Sequence, residues 1–147
     1  MSDPRNPKDA IARSKVPLHL WPISATMYGC WALFCGKTKY GGLNWRATPV
    51  LASVYYGALL RHAGRWWEGE SIDPDDGTPH LGNALACLAI LIDAYICGTL
   101  IDDRAFNGVK VVDSLNSFNH LAPEIEAKYA DKNPRHYTIA DSHPPSE

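Results

Sequence analysis

The stretch from Arg61 to His80, RHAGRWWEGESIDPDDGTPH, sets five acids and two histidines around a Gly/Pro turn. The acids are Glu68, Glu70, Asp73, Asp75 and Asp76, and the histidines are His62 and His80. Metal-assisted phosphate chemistry needs hard oxygen ligands close together, with cations for the remaining phosphate charge. Glu70 and Asp73, three apart, can converge in a turn; the alternative is a solvated acid-rich loop. For Asp75 and Asp76 the solvated turn is the better reading. His80 and Asn83 share one face at the start of a helix, where the local field disfavours a charged imidazole and attracts phosphates. The competing reading makes His62 and His80 separate packing or capping residues.

A second group, GKTKYGGLNWR, gathers Lys37, Lys39, Tyr40, Asn44 and Arg46. It lacks the spacing of a P-loop. It can still offer cations and amides to an anion, or be an ordinary solvated helix end. Trp66 and Trp67 are expected in the core or an interface, and Trp21, Trp31 and Trp45 are more often core than base-stacking. Asp93 falls in an apolar run, about 220° around the helical wheel from His80, and needs a partner if buried.

Helices must carry these residues. LWPISATMYGCWALFCGKTKYGG reads as a first helix, with Pro22 at its first position and the Gly41-Gly42 pair ending it. Thr48 and Pro49 fit the cap and first position of a second helix running to Glu68, with Gly69 as its stop. Thr78 and Pro79 repeat that grammar for a third helix running to about Ile96. An antiparallel hairpin of helices two and three brings His62, Glu70, Asp73, His80 and Asn83 to one end. The third helix is apolar nearly all round, so it belongs at the centre, and a lone three-helix unit would hardly cover it. Oligomerisation is therefore expected.

The domain reading is a polar N-terminal arm over 1–17, a helical catalytic core over 18–105, and an extension over 106–147. That extension should hold one short helix around APEIEAKYADKNP, with a Glu124–Lys128 ion pair, and a disordered tail, ADSHPPSE. Length (147 residues) and 46% apolar content suit a globular domain, and a net charge of −2 argues against a nucleic-acid-binding surface. Cys30, Cys35, Cys87 and Cys97 form no CxxC pair, which disfavours zinc knuckles and favours buried free thiols. MSDPRNPKDAIARSK has no signal-peptide core, and ALACLAILIDAYICGTLI reads as a buried helix, not a membrane span. A cytoplasmic location is expected, with no membrane and no nucleic acid as partner.

Four blocks in order, NPKDAIARSKVPLHLWP, GKTKYGGLNWR, YYGALLRHAGRWWEGESIDPDDGTPHLGNALACLAILIDA and GTLIDDR, resemble the phage dATP/dGTP diphosphohydrolases over about residues 6–104. These are a MazG-like branch of the all-α nucleotide pyrophosphohydrolases. The resemblance implies an all-α, MazG-like helical bundle completed by oligomerisation, as a dimer or tetramer, and dependent on Mg²⁺ or Mn²⁺. It implies cleavage of a purine deoxynucleoside triphosphate to the monophosphate and pyrophosphate. It further implies dGTP as the preferred substrate, with dATP as the other, and a dGMP product that would supply 2-aminoadenine DNA synthesis in a phage, in the host cytoplasm. The matching positions are Lys39, Tyr40, Asn44, Trp45, Arg61, His62, Glu70, Asp73 and His80. The wider superfamily carries Glu-x-x-Glu and Glu-x-x-Asp pairs on successive helices. Here His62 and His80-Leu-Gly-Asn83 stand at those places, and Glu70-Ser-Ile-Asp73 supplies the acids.

These readings combine into one expected site. Glu70, Asp73 and His80 would hold metal, which lowers the pKa of a water attacking the α-phosphorus. His62 or His80 would orient that water or take its proton. Arg61 and Lys39 would stabilise phosphate charge, with Tyr40, Asn44, Trp45, Asn83 and Trp21 also binding substrate. A wall from LHLWPISATMYG would hold the base. The alternative from another class is a non-catalytic nucleotide-binding helical module. An HD-type phosphohydrolase is disfavoured, because no His-Asp dipeptide occurs.

Overall fold

The computed structural model describes residues 6–142. Its helices are α1 (Pro7–Ala12), α2 (Ile23–Tyr40), α3 (Asn44–Ala47), α4 (Ala52–Trp67), α5 (His80–Cys97), α6 (Gly108–Asn119) and α7 (Leu121–Lys128). Two short strands, β1 (Val50–Leu51) and β2 (Leu100–Ile101), pair in parallel. The fold is all-α, as expected. The chain forms two compact units, one ending at Ile101 and one beginning at Asp102.

In the first unit α5 packs between α2 and α4. The approach to α2 is close: a Cβ on Gly82 would lie 2.6 Å from the Tyr28 carbonyl oxygen, and one on Gly29 would lie 3.2 Å from Leu85. Small residues line this packing, and the buried apolar positions are Ala32, Ala52, Ala84, Ala86, Cys87 and Ala94. The expected tryptophan core is not there. Trp21, Trp31, Trp66 and Trp67 are all exposed, because helices this close leave room for alanine and send bulky groups to the flanks. The four thiols are free, as expected, but only Cys87 is buried. By length and composition α5 could cross a membrane; about a third of it is buried within the fold.

Several boundaries differ from the sequence reading. The polar arm contains α1, capped by the Asn6 side chain accepting from the Lys8 amide at 2.9 Å. Leu18–Leu20 form a separate 3₁₀ turn, and Pro22 caps α2 from just outside it. Gly41, at φ 91°, ends α2 as expected. The second helix begins at Ala52 instead of Pro49. Thr48 is extended before the proline, and Val50 and Leu51 are drawn into the strand pair with Leu100 and Ile101. Thr78 is not the cap of α5. Pro79 precedes the helix in extended conformation, within a bridge to Ile72, and the Thr78 hydroxyl turns to Asp76 and Asn83.

The second unit holds two helices where one was expected. α6 was hidden by its valines, serines and asparagines, which favour helix weakly. Glu124 and Lys128 do not pair; the Lys128 ammonium lies 5.5 Å from the Tyr129 ring centre. Within the tail, Ile139–Asp141 form a 3₁₀ turn capped by Thr138, and Arg135 pairs with Asp141. Residues 143–147 of the expected disordered tail lie outside the described residues.

Candidate functional site

The α4–α5 loop is a tight reversal. Gly69 takes φ 99°, the Ser71 carbonyl accepts from the His80 amide at 3.0 Å, and the Asp73 amide donates to the Thr78 carbonyl at 2.8 Å. Gly77, at φ 75°, donates back to the Asp73 carbonyl at 2.8 Å. These bonds turn Asp73 inward and bury it. The hairpin therefore does what the sequence suggested: His62, Glu70, Asp73 and His80 meet at one end.

The His62 and His80 Nδ1 atoms are 3.0 Å apart. Asp73 Oδ2 lies 3.8 Å from the first and 4.0 Å from the second. Behind them, Glu70 Oε1 sits 2.7 Å from His80 Nε2 and 3.3 Å from an Arg65 guanidinium nitrogen. A carboxylate at that distance accepts the Nε2–H, which leaves the His80 Nδ1 lone pair facing His62 and Asp73. His80 is fully buried. Burial holds the His62 pKa below its ordinary value; His80, Arg61 and Arg65 push the same way, against Asp73.

Two imidazoles and a buried carboxylate converging in this way offer three candidate ligand atoms to one metal ion. Two atoms bonded to one ion at ~2.1 Å can be at most ~4.2 Å apart. All three separations here satisfy that bound. The residues close enough to share one ion are His62, Asp73 and His80; the sequence reading had named Glu70, Asp73 and His80. Glu70 lies on the far side of His80, at its Nε2, where a carboxylate can orient the ring.

The other expected residues divide. A cavity of about 180 Å³ opens beside His62, and Tyr40, Asn44, Trp45 and Asn83 line it, together with Tyr55 and Cys87. No residue of the expected base wall, 18–29, lines it. Trp21 is exposed and donates its indole N–H to Thr26 at 2.8 Å. Arg61 makes no ion pair or hydrogen bond among the described residues. Lys39 pairs with Asp76 at 3.1 Å.

Asp76 is thus more than a solvated turn residue. It also accepts from the Thr78 amide at 3.0 Å and from the Thr78 hydroxyl, and Asn83 donates to that hydroxyl oxygen at 2.8 Å. The Thr78 hydroxyl, then its amide and Lys39, hold the Asp76 pKa at about 2 despite partial burial. Asp93 finds its partner in Arg46, which grips it with two bonds of 2.7 and 2.8 Å, while Trp45 donates to it at 2.6 Å. Its pKa falls to about 2, Arg46 first and Trp45 second among the causes. Arg46 is thereby committed to pinning α3 on α5.

Sequence reasoning missed Tyr55, Cys87 and the roles of Asp76 and Thr78. Helical spacing could have found the first two. Tyr55 precedes His62 by two turns on the same face, and Cys87 continues the His80–Asn83 stripe.

The fold and site define an all-α protein with a His/Asp cluster beside an aromatic-lined cavity. The chain belongs to the dATP/dGTP diphosphohydrolase family, whose N-terminal domain model matches residues 5–104. No curated protein and no solved structure matches the chain.

Proposed function

We propose that this chain hydrolyses a purine deoxynucleoside triphosphate between its α- and β-phosphates, giving the monophosphate and pyrophosphate. dGTP is the preferred substrate, with dATP second, and the dGMP formed supplies 2-aminoadenine DNA synthesis in a phage, in the host cytoplasm. The observation that carries this reading is the convergence of His62, Asp73 and His80, backed by Glu70, in a member of this family.

His62, Asp73 and His80 would hold a divalent ion, which would supply Lewis-acid charge stabilisation at the phosphates and a water of lowered pKa. Of Mg²⁺ and Mn²⁺, two imidazole nitrogens and one carboxylate oxygen favour Mn²⁺, since Mg²⁺ prefers oxygen ligands and retained water. Glu70 holds the His80 ring in the tautomer that offers Nδ1 to the site. His62 stays neutral through burial and offers its own nitrogen. Arg61, one residue away from His62 and unpaired among the described residues, meets charge developing on the phosphates. Lys39 is committed to Asp76 and steadies the loop instead.

The active form is a homo-oligomer, dimer or tetramer. Leu88, Ile92, Tyr95 and Ile96 support this, because they form an exposed apolar stripe along α5 at helical spacing.

The test is to incubate the protein with dGTP or dATP and Mn²⁺ or Mg²⁺ and identify the products by phosphorus NMR. Monophosphate with pyrophosphate is expected, and His62→Ala or Asp73→Ala should abolish it with the helical fold retained. Release of triphosphate, or nucleotide binding without turnover, would overturn the reading.

A further inference from the structure

We infer that the cavity beside His62 is a purine-base pocket in which the Asn44 amide reads the base edge. This rests on the proposed reaction for the identity of the nucleotide, but it stands on different atoms. At about 180 Å³ the cavity is too small for a whole drug-sized ligand and suits one planar ring system. Its walls include Tyr40, Trp45 and Tyr55, aromatic surfaces of the kind on which bases stack. His62 opens onto the same space, so a base in the cavity leads its phosphates toward the His/Asp cluster.

The polar lining is divided between committed and free groups. The Trp45 indole N–H is taken by Asp93, and the Asn83 amide by Thr78. The Asn44 amide and the Tyr55 hydroxyl have no hydrogen-bond partner among the described residues. Burial raises the Tyr55 pKa, so its hydroxyl stays protonated as a donor. Leu43, just before Asn44, holds a left-handed conformation (φ 55°) that leucine rarely adopts. That turn starts α3 and delivers Asn44 to the cavity. An amide carries both donors and an acceptor, so one side chain can pair with the O6/N1–H edge of guanine or the N6–H/N1 edge of adenine. This accounts for a site that accepts both purines.

The test uses full-length protein with Mn²⁺ and compares binding of dGMP and of inorganic tripolyphosphate by calorimetry, in wild type and Asn44→Leu. Losing one base-edge hydrogen-bond pair should weaken dGMP binding about tenfold. Tripolyphosphate binding should stay within about twofold, and in turnover the loss should appear in KM for dGTP rather than in kcat. If Asn44→Leu does not fold, Asn44→Ser carries the same comparison. Unchanged dGMP affinity, or equal loss of dGMP and tripolyphosphate, overturns the inference. Because dGMP binding needs no turnover, an inactive protein that still shows the Asn44 effect refutes the reaction and leaves the pocket standing. Turnover without the Asn44 effect does the reverse.

Discussion

Glu70 and Asp73 looked equivalent as acids three residues apart, yet the fold gives them different partners. Asp73 faces both Nδ1 atoms, and Glu70 faces the far nitrogen of His80. Glu70→Gln keeps an acceptor at His80 but removes the charge. It should weaken Mn²⁺ binding about 10- to 100-fold, where Asp73→Ala loses a ligand outright. Calorimetric titration with Mn²⁺ alone, without nucleotide, separates the two. Asp76 makes a second case at this scale. Its folded pKa of about 2 lies below the ordinary 3.8, so its contribution to stability is complete above about pH 4 and is lost as pH falls through about 2. Asp76→Asn should cost about 1–2 kcal/mol at neutral pH, kept small by the solvent that still reaches the carboxylate. Urea unfolding between pH 2 and 6 should show the difference from wild type shrinking toward the acid end. Thr78, two residues on, is a local partner of Asp76, but Lys39 stands 37 positions earlier, and local sequence does not announce that contact.

Among the elements, α5 was the most legible and α4 the least well bounded. The long apolar run read as a central helix, and it runs from His80 to Cys97 between α2 and α4. The start of α4 was misread because Thr-Pro is good local helix grammar. A strand 50 residues away claimed Val50 and Leu51 first. Register between α2 and α5 depends on Gly82, where an added methyl would meet the Tyr28 backbone, which cannot swing aside. Gly82→Ala should therefore destabilise the protein by about 1–3 kcal/mol despite its better helix propensity. Gly29→Ala meets only the Leu85 side chain and should cost less. Thermal melts of the two variants provide the comparison.

For the whole molecule, the balance of buried and exposed apolar surface is the telling feature. Alanines and one cysteine make the buried apolar set, while Ile92, Tyr95 and Ile96 are 61%, 71% and 75% exposed. A homo-oligomer that covers this stripe should appear in sedimentation velocity as a dimer or tetramer. Ile92→Glu together with Tyr95→Glu should shift it to monomer and lower the melting temperature. A wild-type monomer at micromolar concentration would refute the assembly.

What the sequence determined by itself was local and periodic: the helical class, the Gly41 and Gly69 stops, and a hairpin that sends His62 and His80 to the same end. Backbone preference and helical spacing suffice for those. Tertiary structure alone decided which atom of each residue faces which. It set Glu70 behind His80, bound Lys39 to Asp76 and Arg46 to Asp93, and gathered the cavity from four helices. Such pairings depend on distances between segments far apart in the chain, and residue type and spacing carry no record of those distances.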